Sequence, residues 1–148
     1  MGVLVYMSLY LFKIVSFSCF ALLMSACSMV QTSLYDSSTD KSLIRLHKQT
    51  AQFFIVASGP AHCGYDDHLE FYHKSRVALS GLQVRASAMA ENNGTVSQLN
   101  LLSSSYENLA KLHQLGCFSP AQVNELWVSF DVSFSAILKL ELAKKYGR

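Results

Sequence analysis

Apolar residues recur along this chain in four stretches at alternating steps of three and four, the spacing that gathers one face of an α-helix. The first stretch, Lys41 to Ser58, places Leu43, Leu46, Thr50, Phe53 and Ala57 on that face; Asp40 can cap its start and Gly59-Pro60 stops it. The second runs from Asp66 to Ala90, with Leu69, Tyr72, Leu79, Leu82, Ala86 and Met89 inward and Asn92-Asn93-Gly94 after its close. In the third, Thr95 and Gln98 have capping-box spacing, Leu99, Leu102, Tyr106, Leu109 and Leu112 form the stripe, and Gly116 ends it. The fourth has the fullest start signal: Ser119 as cap, Pro120 in the first turn, Gln122 as the returning side chain, and Phe118 with Val123 as hydrophobic staple. Its stripe is Val123, Leu126, Trp127, Phe130, Phe134, Ile137 and Leu138. No stretch alternates every second residue between hairpin turns, so no sheet is predicted.

Four helices joined by short loops predict an all-α domain, an up-down-up-down four-helix bundle spanning residues 40–148. In that topology the loops at 59–65 and 116–119 share the end opposite the chain's entry. Cys63 and Cys117 fall in those two loops, which makes them expected neighbours. In an oxidising compartment they would join, and a disulfide closing a loop of about 54 residues contributes on the order of 4 kcal/mol in the chain-entropy model.

The amino end follows a different pattern. Lys13 precedes an apolar run, Ile14 to Met24, and the small residues Ser25 and Ala26 follow it, the order of a secretory leader. Residues 3–12 are also apolar, so a start at Met7 would give the more ordinary short basic leader. Lys13 interrupts the uncharged span of about 20 residues that an uncleaved membrane helix requires. The segment Leu23-Met24-Ser25-Ala26-Cys27 resembles the bacterial lipobox, with Met24 where leucine is usual. The resemblance covers the leader alone. It implies that residues 1–26 are a signal peptide, that the Cys27 thiol carries a diacylglycerol (palmitate-type) anchor, and that the chain is held on a membrane through covalent lipid. Ser28, in place of the aspartate that retains such proteins at the inner membrane, implies the outer membrane, with the domain in the periplasm. Residues 27–39 then read as the lipidated cysteine and a flexible tether. Cys19 would leave with the leader and Cys27 would be alkylated, so no free thiol would remain.

Charge narrows the partners. Residues 28–148 carry eleven Lys and Arg against ten Asp and Glu, so no strongly basic surface is available for nucleic acid. At 100° per residue His68 and His113 fall on the inner faces of the second and third helices, at the end that holds Cys63, Cys117 and His62. Two readings stand here: a disulfide beside neutral, packed histidines, or a tetrahedral zinc or copper site built from Cys63, His68, His113 and Cys117. Glu70 and His73 have the Glu-x-x-His spacing of di-iron bundles, but they project outward and have no second copy. Glu141 falls on the inner face of the fourth helix, where Arg45 or Arg85 could pair with it. Ser103-Ser104-Ser105 has no base placed beside it, and no phosphate loop or paired acid occurs, so no enzyme and no cofactor are expected.

Beyond the stripes, Ile44, Ile55 and Val56 on the first helix and Val128, Val132 and Leu140 on the fourth project outward. Such a surplus marks either a wider core or a contact surface for an envelope protein or a second copy. The expectation is a non-catalytic, membrane-tethered binding or scaffolding module. In size and architecture it looks like the small helical pilotin lipoproteins that escort secretin subunits, although no shared motif carries that likeness. The alternative is a metal-binding or redox lipoprotein using Cys63, Cys117, His68 and His113.

Overall fold

The computed structural model describes residues 33–147; the leader, Cys27 and residues 28–32 lie outside them. Four helices follow in order: α1 (Ser37–Ala57), α2 (Leu69–Ser87), α3 (Asn93–His113) and α4 (Pro120–Tyr146). Short 3₁₀ turns at Pro60–His62 and Tyr65–His68 connect α1 to α2. Each helix packs on its neighbours in sequence and α4 returns to α1, closing a four-helix bundle. Contacts along every seam run in opposite senses. Phe53 meets Phe71 while Asp36 meets Arg85, and Tyr72 meets His113 while Gln83 meets Asn100. Likewise Tyr106 meets Phe130 while Thr95 meets Glu141, and Phe54 meets Phe130 while Tyr35 meets Lys145. All neighbouring helices are therefore antiparallel, as expected of up-down-up-down topology.

The core forms because the stripes converge. Leu43, Leu46, Leu79, Leu99, Leu102, Leu109, Phe134 and Ile137 are all essentially sealed from solvent, and each such side chain contributes about 1.5–3 kcal/mol by leaving water. Nearer the loops at 59–65 and 116–119 the core becomes aromatic. There Phe53 stacks on Phe71, with ring centroids 4.1 Å apart, and meets Phe54 and Tyr72 edge-on. Thr50 bonds to the Leu46 carbonyl, as a mid-helix threonine can, and its hydroxyl also pairs with Tyr106 across the bundle.

The helix starts show where local signals held and where tertiary demands replaced them. At α4 the capping box is complete: the Ser119 side chain accepts from the Gln122 N–H, and the Gln122 side chain accepts from the Ser119 N–H. α1 begins at Ser37, before the expected Lys41, because Asp36 and not Asp40 accepts from the N–H groups of Ser38 and Thr39. Residues 33–39, expected to be tether, thus belong to the folded body, with Ser33 and Thr39 buried. In α3 the expected Thr95–Gln98 box is absent. The helix starts at Asn93, and Thr95 turns its hydroxyl inward to Glu141. The second stripe also departs in part. Leu69 is exposed, while Ser75 takes a buried position on that face beside His68, whose helical phase had placed it inward; a reading restricted to apolar residues passes over Ser75. Gly116, at φ 145°, turns the chain out of α3 in a conformation that side-chain-bearing residues rarely adopt.

Candidate functional site

Three places in the bundle combine chemistry-bearing residues. The first is the end where α1 passes to α2 and α3 to α4. Cys63 and Cys117 are joined by a disulfide there, with Cα atoms 5.0 Å apart and a sequence separation of 54. Beside it His68 and His113 are buried with ring centroids 5.5 Å apart, as their helical phases predict, while His62 is exposed.

The hydrogen bonds define what these imidazoles do. His113 Nε2 lies 2.7 Å from the Cys63 carbonyl, which can only accept, so Nε2 carries the proton. Its Nδ1 then accepts from the Tyr72 hydroxyl at 2.8 Å. His68 Nε2 meets the carbonyl of His62, also at 2.7 Å. Both rings therefore fasten the α1–α2 loop to the core. Burial pushes the His113 pKa below its ordinary 6.5, opposed by the bond to Cys63 and reinforced by the neighbouring His68. Burial also pushes the Tyr72 phenol up, keeping it a donor at any physiological pH. The ring of Phe118, in the α3–α4 loop, stacks on His113 with ring centroids 4.5 Å apart. The four residues considered as metal ligands are thus brought together, with their sulfurs bonded to each other and both Nε2 atoms directed at carbonyls. Among the described residues, no group of three or more His, Cys, Asp or Glu side chains is arranged to hold a metal ion.

The second place is the opposite pole, where the chain enters. Glu141 is buried as its helical phase predicts, but its partner is Lys144, three residues on, and not Arg45 or Arg85. Arg85 instead pairs with Asp36, and that guanidinium holds the Asp36 carboxyl well below the usual carboxylate range. The Lys144 ammonium donates to Glu141, to Asn92 Oδ1 at 2.6 Å and to Thr95 at 2.7 Å. Ser33 also donates to Asn92 Oδ1, while the Asn92 amide donates to the Ala86 carbonyl. One buried network thereby ties the chain's entry, the α2–α3 loop and the end of α4. Among the described residues no buried side-chain nitrogen or oxygen lacks a partner. Sequence spacing could place Glu141 inward but could not reveal Ser33 or Asn92, which carry no apolar period.

The third place is the α1–α4 seam. Ala51, Phe54, Ile55, Pro120, Val123 and Trp127 line most of an open groove of about 330 Å³. Alongside it His47 meets Asp131 at 2.8 Å, between the rings of Trp127 and Phe134; this pair, 84 residues apart, has no local signal. The six outward apolar residues are all exposed, at 37–73%. They do not form one surface. Ile55 lines the α1–α4 groove, whereas Val56 lines a separate groove between α1 and α2 with Gln49, Gln52, Glu70 and Lys74. At 100° per residue Val128 and Val132 face away from both neighbouring helices, and Leu140 turns toward the α3 flank. Glu70 pairs with Lys74 on the solvent side of α2, and His73 is exposed there, as expected. No described helix is long and apolar enough to cross a membrane.

No family model, no curated protein and no solved structure matches the chain.

Proposed function

We propose that this protein is a non-catalytic binding or scaffolding module of a bacterial envelope, anchored through an acylated Cys27 at the outer membrane with its helical domain in the periplasm. The observation that carries the reading is the Cys63–Cys117 crosslink. A disulfide built into two apposed loops suits an oxidising compartment, and a leader ending in Leu23-Met24-Ser25-Ala26-Cys27 would deliver the chain there. The chemistry inside the bundle favours structure over turnover: among the described residues every buried side-chain nitrogen and oxygen has a hydrogen-bond partner within the fold. The apolar α1–α4 groove, with Trp127 and Ile55 at its wall, is the surface best suited to a protein partner.

The test is metabolic labelling with palmitate, together with mass measurement of the mature amino terminus and thiol titration. A labelled product beginning at Cys27, with no titratable thiol, is the expected result. An unlabelled product with an intact leader would overturn the anchoring. Two free thiols with stoichiometric metal would replace the scaffold with a metal-binding role. Crosslinking in intact cells then seeks the partner, with Ile55→Asp expected to abolish the adduct; an undiminished adduct would move the contact off the groove.

A further inference from the structure

The entry pole carries a surface that the buried network beneath it leaves unexplained. Leu34 is 66% exposed, Tyr146 72% and Leu142 40%. Leu142, Lys145 and Tyr146 share one flank of α4 by their three- and four-residue spacing. That flank meets the start of the chain, where the Lys145 ammonium lies 5.4 Å from the centre of the Tyr35 ring and 5.2 Å from that of Tyr146. One lysine thereby lies beside two phenol rings from opposite ends of the domain, with Leu142 on the same flank of α4 and the exposed Leu34 next to Tyr35 in the chain. This mixture suits neither core nor open water. Aromatic rings with a polar tip, apolar side chains and a cation on a long stem together match the headgroup layer of a bilayer.

Chain length says what lies near this face. Ser33 lies six residues beyond Cys27, and at 3.3–3.6 Å per residue that stretch spans at most about 22 Å. An acyl chain on Cys27 would keep Ser33, next to the patch, within that distance of the lipid, so even a weak surface affinity is multiplied by a high effective concentration. The ground behind the patch is firm. Ser33 is held on Asn92, Asp36 caps α1 while binding Arg85, and the Tyr35 hydroxyl donates to Asp40 at 2.8 Å. The exposed Lys41 and Lys145 at this pole add attraction to anionic headgroups.

We propose that Leu34, Tyr35, Leu142, Lys145 and Tyr146 form a membrane-docking face that seats the entry pole on the bilayer bearing the protein's own anchor. The inference rests on acylation of Cys27. Its consequence is orientation: α4, 27 residues long, rises about 40 Å at 1.5 Å per residue and presents the disulfide end and the α1–α4 groove away from the lipid.

Lipid quenching of tryptophan tests this in the full-length acylated protein, reconstituted in phosphatidylethanolamine and phosphatidylglycerol vesicles with or without brominated acyl chains. Trp127 is the chain's single tryptophan, and it lies roughly 28 Å along α4 from Tyr146 at helical rise, so the wild-type emission is a built-in control. Tyr146→Trp is expected to add emission that brominated lipid reduces roughly twofold, as for a ring in the interface, while Trp127 emission stays unchanged. Adding Leu34→Asp and Leu142→Asp, both at exposed positions, should abolish that quenching while the protein still floats with the vesicles. Flotation without quenching at position 146 would overturn the docking face and leave the anchor standing, including the case in which a second copy covers the patch. Failure to float would overturn the anchor, and the docking face with it.

Discussion

Lys144 and Glu141 sit where charge is costly, and what keeps them there is the completeness of their bonding. Glu141 is 1% exposed and Lys144 8%. Lys144→Met would leave the Glu141 carboxylate buried with the Thr95 hydroxyl as its remaining donor, and removal of one member of such a pair costs about 3–5 kcal/mol. Lys144→Met with Glu141→Leu removes both charges and should recover most of that loss. Urea unfolding of the two variants measures the difference; a single variant within about 1 kcal/mol of wild type would show the pair to be solvated. His113 makes a second residue-scale prediction. Its folded pKa lies below the ordinary 6.5 because burial disfavours the imidazolium. Between the two values the unfolded chain binds more protons than the folded one, so stability rises with pH through that window and is flat above it. On acidification the loss begins near pH 6.5 and ends once the folded-state value is passed. Proton resonances of the His113 ring should titrate below 6.5, and His113→Gln should flatten this part of the stability profile; a midpoint at or above 6.5 would contradict the burial argument.

At the scale of the helix, the termini separate what is written locally from what the fold imposes. Asp36 caps α1 and Asp40 does not, so Asp36→Ala should cost about 1 kcal/mol from the cap, with a small further loss from its pair with the half-exposed Arg85. Asp40→Ala should cost less, and thermal unfolding of the two variants ranks them; the reverse order would restore the helix start to Lys41. The number of helices, the α4 capping box and most of the core stripe were legible in the sequence, because each follows from the period of 3.6 or from neighbours within four residues. The expected box at Thr95 failed for a physical reason. Its hydroxyl serves either the helix start or Glu141 and Lys144, and the buried pair has the larger energetic demand. Ser33, Asn92, Ser75 and the His47–Asp131 pair were not legible, since a polar residue joins a core only through partners far away in the chain. His68 and His113 could be placed by phase, yet their task of holding the α1–α2 loop by its carbonyls depends on backbone positions that phase does not give.

Across the whole molecule the two ends of the bundle are secured by different means, a covalent bond at one pole and a polar network at the other. The crosslink joins the α1–α2 loop to the α3–α4 loop, so the two helical hairpins cannot separate at that end even when their packing is lost. Its stabilisation acts mainly on the unfolded chain, where closing a loop of about 54 residues removes on the order of 4 kcal/mol of conformational freedom. Set against a net stability of about 5–15 kcal/mol for a small domain, that is a large fraction, yet the four converging stripes remain when the bond is cut. Reduction, or Cys63→Ser with Cys117→Ser, should therefore leave the helical circular dichroism intact while lowering the urea midpoint. The dependence on urea should also steepen, because the freed chain exposes more surface when it unfolds. Unfolding in matched oxidised and reduced samples checks both effects. Equal midpoints would mean that the entry-pole network and the core alone set the stability, and the aromatic end would then hold its shape through the bonds from His68 and His113 to the loop.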